Sequence, residues 1–199
     1  MTISSRQSDQ NRTKITIVSG LPRSGTTMMM RMMEAGGLEA IVDGIRKADD
    51  DNPKGYYEFE KVKELDKDSS WLLDATGKVV KIISALLIQL PSNYEYQVIF
   101  MKRNMSEILA SQSKMLERRG VAPGGISDDI MAGKFEIHLQ KTFTWLAKQT
   151  NTETIYVNYN DVINSPQEEV RKINQFLGET LNLERMAGVI DRSLYRQRN

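Results

Sequence analysis

A three-layer α/β/α domain built on a mostly parallel central sheet is what this sequence predicts, and three observations lead there. Apolar or β-branched runs alternate with helix-forming stretches along the chain. The runs K-V-V-K-I-I-S at 78–84 and Y-Q-V-I-F-M-K at 96–102 are apolar with little alternation, as strands covered on both faces are. The first run, I-T-I-V at 15–18, breaks at Gly20 into a glycine loop that feeds straight into a helix.

Each element has its own reason. Residues 26–35 form a helix in which Met28, Met29, Met32 and Met33 recur at helical spacing and face the sheet. Gly36 and Gly37 end it. Residues 38–42 then read as a second strand that delivers Asp43 and Gly44 at the sheet edge where ligands bind. Pro53-Lys54-Gly55 preorganises a turn before the aromatic and acidic stretch Y-Y-E-F-E at 56–60. A short helix over 62–68 and an anchor at Trp71 follow.

The strand at 78–84 is placed centrally by its apolar continuity. A lysine inside such a strand needs a cleft or a partner for its ammonium group, which singles out Lys81 over Lys78. Residues 85–90 make a helical turn before Pro91. The central strand 96–102 ends at Arg103 and runs into a helix with Ile108, Leu109 and Met115 as contacts. After a loop at 120–125, Ser127 with Asp128 and Asp129 starts a long helix to residue 150. Its stripe is Met131, Phe135, Leu139, Thr142 and Leu146, and His138 beside it reads as a packing histidine. Strand 154–158 and an amphipathic helix at 167–177, ended at Gly178, complete the domain.

Composition narrows the function. The 199 residues make one domain over 14–199, preceded by a flexible polar tail at 1–13. Lys+Arg 27 against Asp+Glu 26 leaves a net charge of +1, so no broad basic face for nucleic acid is expected. The chain has no cysteine and one histidine, which excludes disulfides, thiolate chemistry and a multi-histidine metal site, and fits a cytoplasmic protein. No apolar run has membrane-spanning length, and the N-terminal stretch is polar rather than signal-like.

Chemistry concentrates in the first loop. Gly20 and Gly25 have the G-x-x-x-x-G spacing of a phosphate-binding P-loop, and a helix N-terminus follows to add partial positive charge. Thr26-Thr27 stands where that loop carries Lys-Ser/Thr, and the only cation is Arg23. The lysine that reaches the β/γ-phosphates of a nucleoside triphosphate is absent, so the loop is P-loop NTPase-like without being an ATP loop. The string P-R-S-G-T-T after a strand resembles the 5′-phosphosulfate loop of sulfotransferases, which use 3′-phosphoadenosine 5′-phosphosulfate (PAPS). Arg23, Ser24, Gly25, Thr26 and Thr27 are its members here.

Two further patches carry the resemblance. Arg103 at a strand end and Ser111 eight residues later, two turns into a helix, can both reach one phosphate. R-N-M-S-E-I-L-A-S is similar to the sulfotransferase 3′-phosphate site, with Met105 replacing its proline. V-N-Y-N-D-V-I-N-S-P-Q-E-E-V-R-K-I-N-Q-F-L-G is similar to the family segment near the nucleoside, which would put Tyr159 there. The departures matter as well. Met28 stands where many cytosolic members stack a tryptophan on adenine. Lys81-Ile82-Ile83 keeps the lysine of the K-T-H strand and lacks its histidine. The C-terminal R-K-G is missing too, leaving Arg192 or Arg196 as substitutes.

The resemblance implies sulfuryl transfer from PAPS to a hydroxyl or amine of a small-molecule or carbohydrate acceptor, by in-line attack. Arg23 and the loop would neutralise the leaving 5′-phosphate, and Lys81 would stabilise the sulfuryl oxygens. With the histidine missing, a carboxylate would be the base. Other branches of the family use an acid about twenty residues beyond the loop arginine, a position held here by Asp43. Glu58 is the second candidate, because its aromatic neighbours would desolvate it and strengthen it as a base. No metal is needed where arginine and lysine do the work of Mg²⁺. The alternatives are a P-loop small-molecule kinase and a catalytically silent nucleotide-binding module.

Overall fold

The computed structural model describes residues 14–49, 55–118, 120 and 126–190. The N-terminal tail, the turn before Gly55, most of the 120–125 loop and Arg192, Arg196 and Arg198 lie outside them.

Four strands form one all-parallel sheet: β1 (Ile15–Gly20), β2 (Val79–Lys81), β3 (Tyr96–Lys102) and β4 (Thr152–Asn158), in the order β2-β1-β3-β4. Alternation along the strands sends side chains to two faces, and each face has its own core. On one, Val18, Val79, Ile99, Met101 and Val157 meet α1 (Thr26–Gly36) and the later helices. On the other, Ile15, Ile17, Val80, Val98 and Phe100 meet Trp71, Leu72, Leu87 and Leu146. Sheet and two coverings make the three-layer α/β/α architecture.

Met29, Met30, Met32 and Met33 are fully buried against the sheet, with Met28 only partly so. Gly37, at φ 108°, caps α1 through its amide to Glu34 and Met33 carbonyls. The helix α2 (Met105–Arg118) follows β3. The long helix α3 (Asp128–Leu146) is capped by Ser127 as expected, and it stops short of residue 150. After β4 come α4 (Tyr159–Asn164), α5 (Pro166–Phe176) and α6 (Leu183–Gly188); the sequence reading did not anticipate α6. Residues 62–68 form no α-helix: a 3₁₀ turn, Glu60–Glu64, sits there instead.

Two strand assignments need correction. Residues 38–42 make a single parallel bridge, Ala40 to Val79, rather than a strand. The Val79 amide bonds Glu39 O at 2.8 Å and the Ile41 amide bonds Val79 O at 2.9 Å, and pairing stops there. The 78–84 strand is short and lies at the sheet edge rather than its centre. Its apolar continuity has another cause: Val79 and Val80 enter opposite cores, and residues 38–42 shield its outer side.

Candidate active site

The strand order decides where a ligand is met. After β1 the chain crosses outward to β2, then returns to lay β3 on the other side of β1. The segments leaving β1 and β3 therefore diverge at a switch point on the C-terminal edge, where open parallel sheets bind ligands. Gly20 pairs in register with Met101, so the loop at 21–25 emerges beside Arg103.

There the side chains converge. Arg23 Nε donates to Ser111 Oγ at 2.9 Å, and Arg103 NH1 donates to the Arg23 carbonyl at 3.2 Å. Arg23 has a φ of 73°, a left-handed conformation uncommon for a side-chain-bearing residue. Its guanidinium and its carbonyl are both gripped, which is what holds it there. Arg103 is fixed in turn. Its Nε meets Glu107 Oε2 at 2.7 Å, and its guanidinium lies 4.2 Å from the centre of the Tyr159 ring. Glu107 is only 2% exposed and also accepts from Asn160 Nδ2 at 3.0 Å. A buried carboxylate paired and hydrogen-bonded in this way orients a cation.

The loop has the features of an anion cradle. No side chain caps the N-terminus of α1, where Gly25 stands at φ 100°. A Cβ on Gly25 would lie 2.4 Å from Tyr159 Cδ2, so only glycine lets the loop approach that ring. Ser24 is fully buried, and its Oγ has no hydrogen-bond partner among the described residues. An orphaned hydroxyl, an uncapped helix start and two arginines joined through the Arg23 carbonyl are a donor set suited to phosphate oxygens.

A second cluster sits on the same edge. Lys81 is in register with Val18, two residues before Gly20 ends β1, and shares its face. Its side chain is 8% exposed; Nζ donates to the Tyr56 carbonyl and lies 3.8 Å from Glu58 Oε1. Burial pulls the ammonium down to about 8; Glu58 opposes this and Arg46 adds to it. Arg46 NH1 also meets Glu58 Oε1, at 2.7 Å, and its guanidinium lies 3.4 Å from the centre of the Tyr56 ring. Among the described residues nothing hydrogen-bonds Glu58 Oε2.

The expected aromatic walls around Glu58 are engaged elsewhere. Phe59 packs edge-on against Trp71 at 5.1 Å, Tyr57 OH bonds Glu34, and Tyr56 lies under Arg46 with its OH on Asp49. Cations flank this carboxylate instead. Asp43 is differently committed: Oδ1 accepts from the Ile45 amide at 3.0 Å and Oδ2 from the Glu60 amide at 2.6 Å. Desolvation alone would raise its carboxyl, but the two amides, with Lys63 nearby, outweigh it and hold Asp43 below the usual range.

Arg23, the loop, Arg103, Ser111 and Tyr159 thus form one cluster, and Lys81, Glu58 and Asp43 another on the same sheet edge; Arg196 lies outside the described residues. Glu107, Asn160 and Arg46 were missed. Glu107 carried a usable signal, since an acid four residues after Arg103 shares its helix face; Arg46 carried none. His138 is a packing histidine: Nε2 lies 2.8 Å from Ser84 Oγ, and burial with Lys141 nearby holds the ring below its ordinary value. Among the described residues no group of three or more His, Asp or Glu is disposed to hold a metal ion, and no helix is long and apolar enough to cross a membrane.

Comparison with known proteins adds the following. The family model described as "Sulfotransferase domain" matches residues 13–197. No curated protein matches the sequence. Among solved structures, the sulfotransferase domain from the curacin biosynthetic pathway is similar at 19% identity and a TM-score of 0.49, over 82% of this chain and 73% of that one.

Proposed function

This chain belongs to the sulfotransferase family, and from that premise we propose that it moves a sulfuryl group from PAPS to an acceptor hydroxyl or amine. PAPS supplies the activated sulfuryl group and presents anions at its 5′ and 3′ ends. What supports this reading above all is the 2.9 Å contact between Arg23 and Ser111, with Arg103 on the Arg23 carbonyl. Two cations suited to two anionic groups of one nucleotide belong to a single cluster.

In this reading the loop amides, Ser24, Thr26, Thr27 and Arg23 hold the 5′ end and neutralise charge that grows on the departing phosphate. Arg103 and Ser111 hold the 3′-phosphate; Glu107 and the Tyr159 ring keep the guanidinium in place, and Tyr159 borders the nucleoside. Lys81 stabilises the sulfuryl oxygens. Glu58 takes the acceptor proton on Oε2, while Oε1 is anchored by Arg46. Asp43 is the weaker candidate, because both of its oxygens already accept backbone amides.

Thermal-shift binding tests the nucleotide assignment. Adenosine 3′,5′-bisphosphate at about 100 times its Kd is expected to stabilise the fold by ~2.7 kcal/mol. For a chain of this size that is a rise of about 5–10 °C in Tm. AMP and ATP at the same concentration are expected to do much less. A larger shift from ATP with Mg²⁺ would make the kinase the better reading.

The ammonium of Lys81 sets a second expectation. With its value at about 8, kcat/KM should fall as pH rises through 8, since the charged form does the work and is lost above it. Lys81→Arg stays charged and should remove that limb of the pH profile, even if the plateau is lower. A limb unchanged in the arginine variant would take the sulfuryl role away from Lys81.

A further inference from the structure

Tyr57 holds a backbone conformation that a tyrosine does not favour. Its φ is 52°, and among the described residues only Arg23 and Glu179 share that left-handed region without being glycine. Each of those two has a local reason. Arg23 sits in the phosphate loop, and Glu179 follows Gly178 in the turn that closes α5, where its amide bonds the Asn174 carbonyl at 2.8 Å. Tyr57 closes no helix. It lies between Tyr56, whose carbonyl accepts from Lys81 Nζ, and Glu58, whose Oε1 is 3.8 Å from that same nitrogen. Strained backbone of this kind persists only where contacts on both sides hold it, and such positions gather at functional sites.

The rotation shows what the strain accomplishes. A left-handed φ turns the peptide that carries the Tyr56 carbonyl about half a turn from its place in an extended strand. Carbonyl and carboxylate thereby both reach the Lys81 ammonium. On one side of Tyr57, the Tyr56 ring lies under Arg46 and its hydroxyl bonds Asp49; on the other, the Glu58 carbonyl accepts from the Asp43 amide at 3.3 Å. Between these anchors the Tyr57 hydroxyl donates to Glu34 Oε2, near the end of α1, and its ring packs against the core of that layer. Burial, with the Glu34 carboxylate beside it and Arg31 opposing, pushes the phenol up to about 12, so it remains a donor at neutral pH. Resting on the assignment of Lys81 and Glu58 to sulfuryl transfer, we infer that Tyr57 is a positioning residue: its bond to Glu34 fixes the left-handed turn that brings the Tyr56 carbonyl and the Glu58 carboxylate together on Lys81. Without that bond the backbone relaxes toward an extended φ, the carbonyl leaves the ammonium, and water takes its place.

The experiment reads the Lys81 ammonium directly, in the full chain. With the lysines isotope-labelled at Cε, NMR follows each titration, and Lys81→Arg identifies the signal that belongs to Lys81. In the parent it should titrate at about 8, held down by burial, with Glu58 opposing and Arg46 adding as the charged groups that face it among the described residues. Admitting water relieves the burial, so Tyr57→Phe and Glu34→Ala should each raise the midpoint by about one pH unit. Losing the negative charge of Glu34 would by itself lower it, so the sign separates repositioning from electrostatics. Glu34→Gln keeps an accepting oxygen and should leave the midpoint where the parent has it. Tyr57→Phe/Glu34→Ala should shift it no further than either single change. Because the other anchors remain, the melting temperature of each variant should stay within about 4 °C of the parent. Affinity for adenosine 3′,5′-bisphosphate should stay within about 2-fold, since the nucleotide cluster is untouched. An ordinary lysine midpoint in the parent, a midpoint unmoved by Tyr57→Phe and Glu34→Ala, or Glu34→Gln behaving like Glu34→Ala overturns the inference. So does a double substitution that shifts it further, or a collapse of the melting temperature that makes the bond merely structural. A parent chain that fails to bind adenosine 3′,5′-bisphosphate overturns the nucleotide reading instead, so the two failures are told apart.

Discussion

Arg103→Ala is expected to weaken binding of adenosine 3′,5′-bisphosphate by about 100-fold while changing AMP affinity by less than about 3-fold. The charge-assisted hydrogen bonds lost to a 3′-phosphate are together worth ~3 kcal/mol, which is about two decades in Kd. AMP has no 3′-phosphate and so loses nothing there. The substitution has a second consequence, because Glu107 is 2% exposed and would be left without its 2.7 Å partner. Stranding a buried charge costs ~3–5 kcal/mol of stability. The companion variant Arg103→Met/Glu107→Gln removes both charges, and should recover most of the melting temperature while keeping the nucleotide defect. Calorimetric titration of both variants with both nucleotides separates recognition from folding. Equal losses for the two nucleotides would remove Arg103 from the 3′-phosphate.

Glu58→Gln should lower kcat by about 10²–10³-fold, the usual contribution of a positioned base. Affinity for adenosine 3′,5′-bisphosphate should stay within about 2-fold. Glutamine keeps the shape and still offers Arg46 an oxygen, so the local fold is preserved as the proton acceptor disappears. Asp43→Asn is the matched control. It turns an acceptor toward donor character opposite the Ile45 and Glu60 amides, so it should lower the melting temperature more than it lowers turnover. The assignment fails if Glu58→Gln turns over like the parent, and passes to Asp43 if Asp43→Asn is the variant whose kcat collapses.

The contrast between these two acids marks where local reading stopped. Both lie within reach of the same strand end, and nothing in D-G-I-R or Y-Y-E-F-E says which carboxylate the backbone will consume. That is settled by the approach of Glu60 to Asp43, seventeen residues apart, once residues 38–43 lie beside β2. Arg46 is similar: an ordinary surface arginine by sequence, it is drawn onto Glu58 and Tyr56 only by the fold of the loop. The edge position of β2 was hidden for a related reason. Continuous apolar character reports that both faces are covered, and it is silent on how many neighbours a strand has.

By itself, the sequence determined the layered architecture, the glycine loop between β1 and α1, the buried run of β3, and the placement of Arg23 in that loop, Arg103 at a strand end and Ser111 two turns into the next helix. These follow from periodicity and backbone preference, which act over a few residues and are written locally. Only the tertiary structure decided that Arg23 and Arg103, eighty residues apart, share one cluster, that Glu107 is the buried partner holding the second, and that Asp43 is spent on amides while Glu58 is not. Those outcomes depend on strand order and crossovers, where many weak contacts across the sheet jointly choose a neighbour that no short stretch of chain specifies.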